Sequence, residues 1–117
     1  MTDSNQGKTT VAPDVLVTIV RLSALSVPGV SRMAQVTGGV NRLFQRGIHE
    51  GVRIEVEDNV IVVNLYLILK QDVNIREVSR NVQTQVARAL EEMVGMDVGG
   101  IEIHIEDMDY DGEAEPA

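Results

Sequence analysis

"VRIEVEDNVIVVNLYLILK", residues 52–70, decides the fold of this chain. Val52, Ile54 and Val56 alternate with Arg53, Glu55 and Glu57, the two-residue period of a strand with one face buried and the other in water. Asp58 and Asn59 supply a turn, and the chain returns as the second strand of a hairpin. That return strand is apolar on both sides. Its odd face (Ile61, Val63, Leu65, Leu67, Leu69) is wholly aliphatic, and its even face (Val60, Val62, Asn64, Tyr66, Ile68) is mixed. A strand of that kind belongs in the middle of a sheet.

The flanking segments supply the second layer. After the hairpin, Asn74 stands three residues before Glu77, the spacing of a capping box, and Ile75, Val78, Val82, Val86, Ala89, Leu90 and Met93 recur at intervals of three and four. This predicts an amphipathic helix lying on the sheet, closed by Gly95. "GGIEIHIED" then alternates again, with Ile101, Ile103 and Ile105 inward and Glu102, His104 and Glu106 outward. Before the hairpin, "DVLVTIVRLSALSVPG" is rich in β-branched residues and periodicity alone leaves it open between helix and strand. Its length, the Pro13–Asp14 start and the Pro28–Gly29 stop favour a helix. Lys8 to Ala12 predicts a short edge strand, and the segment between the first helix and the hairpin reads as irregular. The expected architecture is therefore α+β: a two-layer domain with two main helices packed on one face of a small mixed sheet containing a central hairpin.

Composition narrows the function classes. The chain has 117 residues, 44% of them apolar, with mean hydropathy +0.01, which suits one folded domain with a modest core. One Phe, two Tyr and no Trp leave an aliphatic core and almost no stacking platform for single-stranded nucleic acid. A formal charge of −8 opposes binding to a phosphate backbone, so nucleic acid is an unlikely partner class on electrostatic grounds. There is no cysteine, hence no disulfide, thiolate zinc site or cysteine nucleophile. The start "MTDSNQGK" lacks the basic and apolar regions of a signal peptide, and the apolar run from Val15 to Val27 contains Arg21 and is too short to span a bilayer. The expectation is a cytoplasmic protein without direct transmembrane insertion.

Candidate sites are few. Gly38 and Gly39 precede Arg42 and Arg46, but the spacing matches neither a Walker phosphate loop, a dinucleotide loop nor an RNA-clamping Gly-x-x-Gly. Arg42 and Arg46 are weak candidates for an anion site; the plainer account is a connection in which the glycines allow a bend. Glu102-x-His104-x-Glu106 lies on one strand face, with alternate residues about 7 Å apart at ~3.3 Å rise per residue, where a solvated polar face is a simpler reading than a metal site. His49 has no motif partner. The methionines, including Met93 and Met96, read as core filler. No nucleophile motif or paired carboxylates in an apolar setting are present, so catalytic, cofactor and metal sites are all expected to be absent. The even face of the central strand remains. Val62, Tyr66 and Ile68 lie opposite the helical layer, and either they form an interaction surface or side chains such as Arg53 and Glu55 cover them.

In order and pattern, "GKTTVAPDVLVTIVRLSALSVPGV" and "GVRIEVEDNVIVVNLYLILKQDVNIREVSRNVQTQVARALEEMVGMDVGGIEIHIEDM" resemble the alkaline-shock protein family, also called Gls24-like or envelope stress response proteins. The similarity covers residues 7–108. It leaves residues 1–6 as a flexible N-terminal tail and 109–117 as a disordered acidic tail. The resemblance implies a non-enzymatic cytoplasmic protein of envelope stress response and cell-envelope homeostasis. It implies action through protein partners, an integral membrane anchor protein among them, or through self-assembly as a homo-oligomer. Its alternative implication is a regulatory binding module acting on a metabolic enzyme such as acetyl-CoA carboxylase. The family supplies no catalytic residues to carry over.

Overall fold

The structure, a computed structural model, describes residues 11–35, 48–49 and 51–109. Helix α1 (Pro13–Leu25) begins with Pro at its first position and Asp14 in its first turn, where a fixed φ and a negative charge both favour a helix start. It ends ahead of Pro28 and Gly29, the latter at φ +102°. Strand β1 (Val30–Met33) follows, then the two-residue β2 (Ile48–His49), β3 (Val52–Glu57) and β4 (Val60–Lys70). Asp58 and Asn59 join β3 to β4 with φ of 51° and 66°, the paired left-handed geometry whose twist matches that of the strands. Helix α2 (Ile75–Ala89) is capped by Asn74, whose Oδ1 accepts the Glu77 N–H at 3.0 Å. A π-helical turn (Leu90–Val94) extends it, and Gly95, left-handed at φ +75°, donates its N–H to the Leu90 carbonyl. Strand β5 (Asp97–Asp109) closes the fold.

The five strands form one mixed sheet around β4. β5 runs parallel to β4 along its whole length, from Val60 opposite Asp97 to Lys70 opposite Asp109. The other edge of β4 is shared, with β3 antiparallel to Val60–Leu65 and β1 antiparallel to Leu67–Leu69. The handover falls at Tyr66, whose N–H donates to the Gly51 carbonyl while its own carbonyl accepts from Ala34 N–H. Both helices cover one face, as the α+β reading requires. Ile61, Val63, Leu65, Leu67 and Leu69 are fully buried beneath Leu16, Val17, Val20 and Ala24 of α1 and Val78, Val82, Val86 and Leu90 of α2 and its extension.

Several expectations change. The segment after α1 is not wholly irregular. Val30–Met33 is a strand, and a bulge between Val30 and Arg32 breaks its alternation, which is why its sequence carries no clear period. Met93 is 69% exposed rather than core filler, because the wider π turn rotates it off the buried line of α2; Met96 does pack against the core. Val11 and Ala12 are not in a strand, and the rest of the predicted Lys8–Ala12 strand lies outside the described residues. β5 runs through Asp109, one residue into the span read as tail. Gly38, Gly39, Arg42 and Arg46 also lie outside the described residues.

Candidate functional site

Among the described residues both helices pack on one face of the sheet, and register decides what stands on the other. β4 contributes Val60, Val62, Asn64, Tyr66, Ile68 and Lys70. Across the strand, Glu57, Glu55 and Arg53 of β3 stand opposite Val60, Val62 and Asn64. On the other side, Asp97, Gly100, Glu102, His104, Asp107 and Asp109 of β5 stand opposite the same β4 series. These are the positions where strand alternation directs side chains away from the core.

The centre of the face is a planar pair. Tyr66 and His104 stack with ring centroids 4.6 Å apart and planes 11° from parallel, a contact of the kind worth about 0.5–1.5 kcal/mol beyond the area it buries. The imidazole is fixed from the side as well, with His104 Nε2 2.9 Å from Asn64 Oδ1. When Nε2 carries the proton it donates to that amide oxygen and leaves Nδ1 as an acceptor. Glu102 stands 3.9 Å from the same nitrogen, outside hydrogen-bond distance. The His104 side chain nevertheless keeps 38% exposure, so the pair is held in place yet reachable from solvent.

Two charge pairs bracket this centre. Arg53 and Glu55, two residues apart on β3, meet at 2.7 Å. At the far end Arg32 of β1 reaches across β4 to Asp109 of β5, Nε to Oδ2 at 3.1 Å and Nη2 to Oδ1 at 3.2 Å, a two-point grip that guanidinium and carboxylate geometry favours. The Ser31 hydroxyl donates to the same carboxylate. Ile68 lies in register between Arg32 and Asp107 and is only 7% exposed. Of the three residues expected from sequence to form a surface, Ile68 is buried and Val62 and Tyr66 are half-buried. Arg53 and Glu55 pair with each other beside Val62, and Tyr66 packs on a histidine that the sequence reading had placed in a merely solvated row.

The bridge has a pH signature. The hydrogen bond from Arg32, then that from Ser31, holds the Asp109 carboxyl below the usual carboxylate range, and the bond to Asp109 raises the Arg32 guanidinium. A carboxyl with a depressed folded value contributes stability above its unfolded value, roughly 3.9, and loses it as pH falls through the folded value. Arg32 stays charged throughout that window. We therefore expect the wild type to melt slightly above Asp109→Asn at neutral pH, and the gap to close as pH drops below about 4. Parallel thermal melts across that range check it. A constant gap would place the effect of Asn elsewhere than in the bridge.

Chemically the face offers a stacked aromatic pair, an apolar strip and fixed charges. Among the described residues, no three His, Cys, Asp or Glu side chains gather closely enough to hold a metal ion, and no helix is long and apolar enough to cross a membrane. Residues 1–110 match the model of the alkaline shock protein 23 family, described as having a cell envelope-related function. YqhY of Bacillus subtilis (strain 168), described as uncharacterized, is 30% identical over 115 residues, covering 97% of this chain and 85% of that one. Spy1614 of Streptococcus pyogenes serotype M6, also described as uncharacterized, is 27% identical, covering 95% of each chain. Among solved structures, a histidine-to-alanine variant of MamM-CTD superposes with a TM-score of 0.53 at 12% identity, covering 84% of this chain and 100% of that one. A cysteine-to-serine variant of the same domain gives 0.51, at 12% identity over 82% and 96%. Identities this low show a shared fold and nothing further.

Proposed function

This chain belongs to the alkaline shock protein 23 family, and from that premise we propose that it is a non-enzymatic protein of cell-envelope homeostasis, acting through protein contacts of its open sheet face. It works on the cytoplasmic side, either self-assembled or held at the membrane by a partner that supplies the span. The observation that carries this reading is the one-sided cover of the sheet. Both helices pack on the odd face of β4, and on the even face Val62 and Tyr66 are half-buried while His104 keeps 38% side-chain exposure. Accessible apolar and aromatic groups at the centre of a sheet, bordered by charge, have the anatomy of a contact surface. Tyr66 is its natural anchor, with a large ring and a polar tip.

Tyr66→Glu tests the reading. Its side chain points away from the helices, so the variant should stay folded and lose about the worth of the His104 stack, roughly 0.5–1.5 kcal/mol. An anchor worth about 2 kcal/mol or more weakens a contact roughly 30-fold when removed. Analytical ultracentrifugation should then show loss of oligomers, or capture from native cells should show loss of a specific partner. An integral membrane protein among the lost partners supports envelope anchoring, whereas carboxylase subunits support regulation of a metabolic enzyme instead. If neither oligomeric state nor captured partners change, the face is not the contact surface.

A further inference from the structure

The hairpin end of the open face differs in shape and charge from its centre. Val60 and Val62 lie there side by side with Gly99 and Gly100 of β5, at a register shift between the two strands. A Cβ on Gly99 would stand 2.7 Å from Val60 Cγ1 and 3.5 Å from Val62 Cγ2, so the bare backbone is what lets those valines lie as they do. A Cβ on Gly100 would meet nothing within 4 Å. The result is an apolar strip along β4, with the Tyr66 ring at its inner end and bare backbone beside it at Gly99 and Gly100.

Its borders are acidic. Glu57 and Glu55 stand on the β3 side of Val60 and Val62, and Asp97 and Glu102 on the β5 side. Over the whole face, Arg53 is engaged by Glu55 and Arg32 by Asp109. Among the described residues of these strands, Glu57, Asp97, Glu102 and Asp107 outnumber the remaining cation, Lys70 at the far end of β4. Two copies whose hairpin ends met face to face would set these carboxylates against each other, an unfavourable juxtaposition, so self-assembly through this face would have to offset or reverse the two copies. A segment with an apolar stripe between basic residues meets both features. β3 and β5 lie two strand spacings apart, about 9.6 Å, close to the ~10 Å width of a helix. From Val60 to Tyr66, six residues at ~3.3 Å rise give about 20 Å, or between three and four helical turns.

We propose that the Val60–Val62–Tyr66 strip, bordered by Glu55, Glu57, Asp97 and Glu102, docks a basic amphipathic helix of a partner protein. This rests on the reading of the open face as the contact surface and adds the charge and shape of what it receives. The test uses the full chain and two synthetic helical peptides of about 14 residues, one with a leucine stripe flanked by lysines and the other with glutamates in place of the lysines. The chain has two histidines and two tyrosines, so ring proton signals report on the site directly. The lysine peptide is expected to shift the His104 and Tyr66 ring signals, with affinity falling as salt rises. Glu57→Lys combined with Glu102→Lys, both at exposed positions, should leave the melting temperature unchanged and weaken binding at least tenfold. Equal binding of the two peptides, unchanged affinity in the double variant, or shifts confined to α2 would each overturn the proposal. If the lysine peptide fails to bind while Tyr66→Glu still abolishes partner capture, the contact surface stands and the basic helix is wrong.

Discussion

Leu65→Asp is expected to leave the chain unfolded at room temperature. Leu65 is fully buried at the middle of β4, with Val52 of β3 on one side and Ile103 of β5 on the other. Removing the leucine forfeits about 2–5 kcal/mol, as large-to-small core changes do. Placing a carboxylate there adds several kcal/mol more, whether as desolvation of the charge or as the cost of keeping it protonated. Among the described residues, no buried polar or charged side chain is available to receive it. A domain of this size has about 5–15 kcal/mol of total stability, so the sum is comparable to all of it. Circular dichroism should show no cooperative melt, while Leu65→Ala still melts cooperatively at a lower temperature. A folded Leu65→Asp with an unchanged transition would mean that the odd face of β4 is not the core.

The same position shows why so much of the fold was legible. Along Val52–Lys70 the period of two persists through both strands and is interrupted only at Asp58–Asn59, so face assignment follows from the pattern without knowledge of any distant partner. Helix α2 was legible for a similar reason, since its cap and its buried line of Val78, Val82 and Val86 are local features. β1 was not. Four residues with a bulge after the first carry no period, and their partners Leu67–Leu69 lie more than 30 positions further on. The candidate site suffered most from this. Tyr66 and His104 each read correctly as facing outward, but their stacking depends on the parallel register of β4 and β5 and on two register shifts within it. Nothing in either strand alone specifies that. The Arg32–Asp109 bridge was equally out of reach, since its partners are separated by 77 residues in the chain. The π turn that exposes Met93 adds a residue where a 3.6-residue period was assumed.

Gly51→Ala is the second large expected loss, and comparison with Gly95→Ala separates its causes. Both glycines have positive φ, +81° and +75°, so alanine at either site carries the left-handed penalty of about 1–2 kcal/mol. At Gly95 a Cβ meets nothing within 4 Å, and the penalty stands alone. At Gly51 the Cβ would sit 2.9 Å from both the Ala34 and the Tyr66 carbonyl oxygens and 3.1 Å from Met33 Cβ. Backbone atoms form this wall, and they are the atoms through which β3 hands the edge of β4 to β1. Relieving the contact must stretch the Ala34 N–H to Tyr66 carbonyl bond or the Tyr66 N–H to Gly51 carbonyl bond, now 2.8 and 2.9 Å. Each is worth about 1 kcal/mol when lost. The expected cost is therefore about 1–2 kcal/mol at Gly95 and about 2–4 kcal/mol at Gly51, or roughly 8–32 °C of melting temperature for the latter at ~4–8 °C per kcal/mol. Because both threatened bonds belong to Tyr66, a Gly51→Ala chain that still folds should also show a disturbed Tyr66–His104 ring contact by NMR, which Gly95→Ala should leave intact. Equal destabilisation by the two variants would mean that the convergence of chain segments on Tyr66 is looser than this geometry, and that the open face is not braced from beneath.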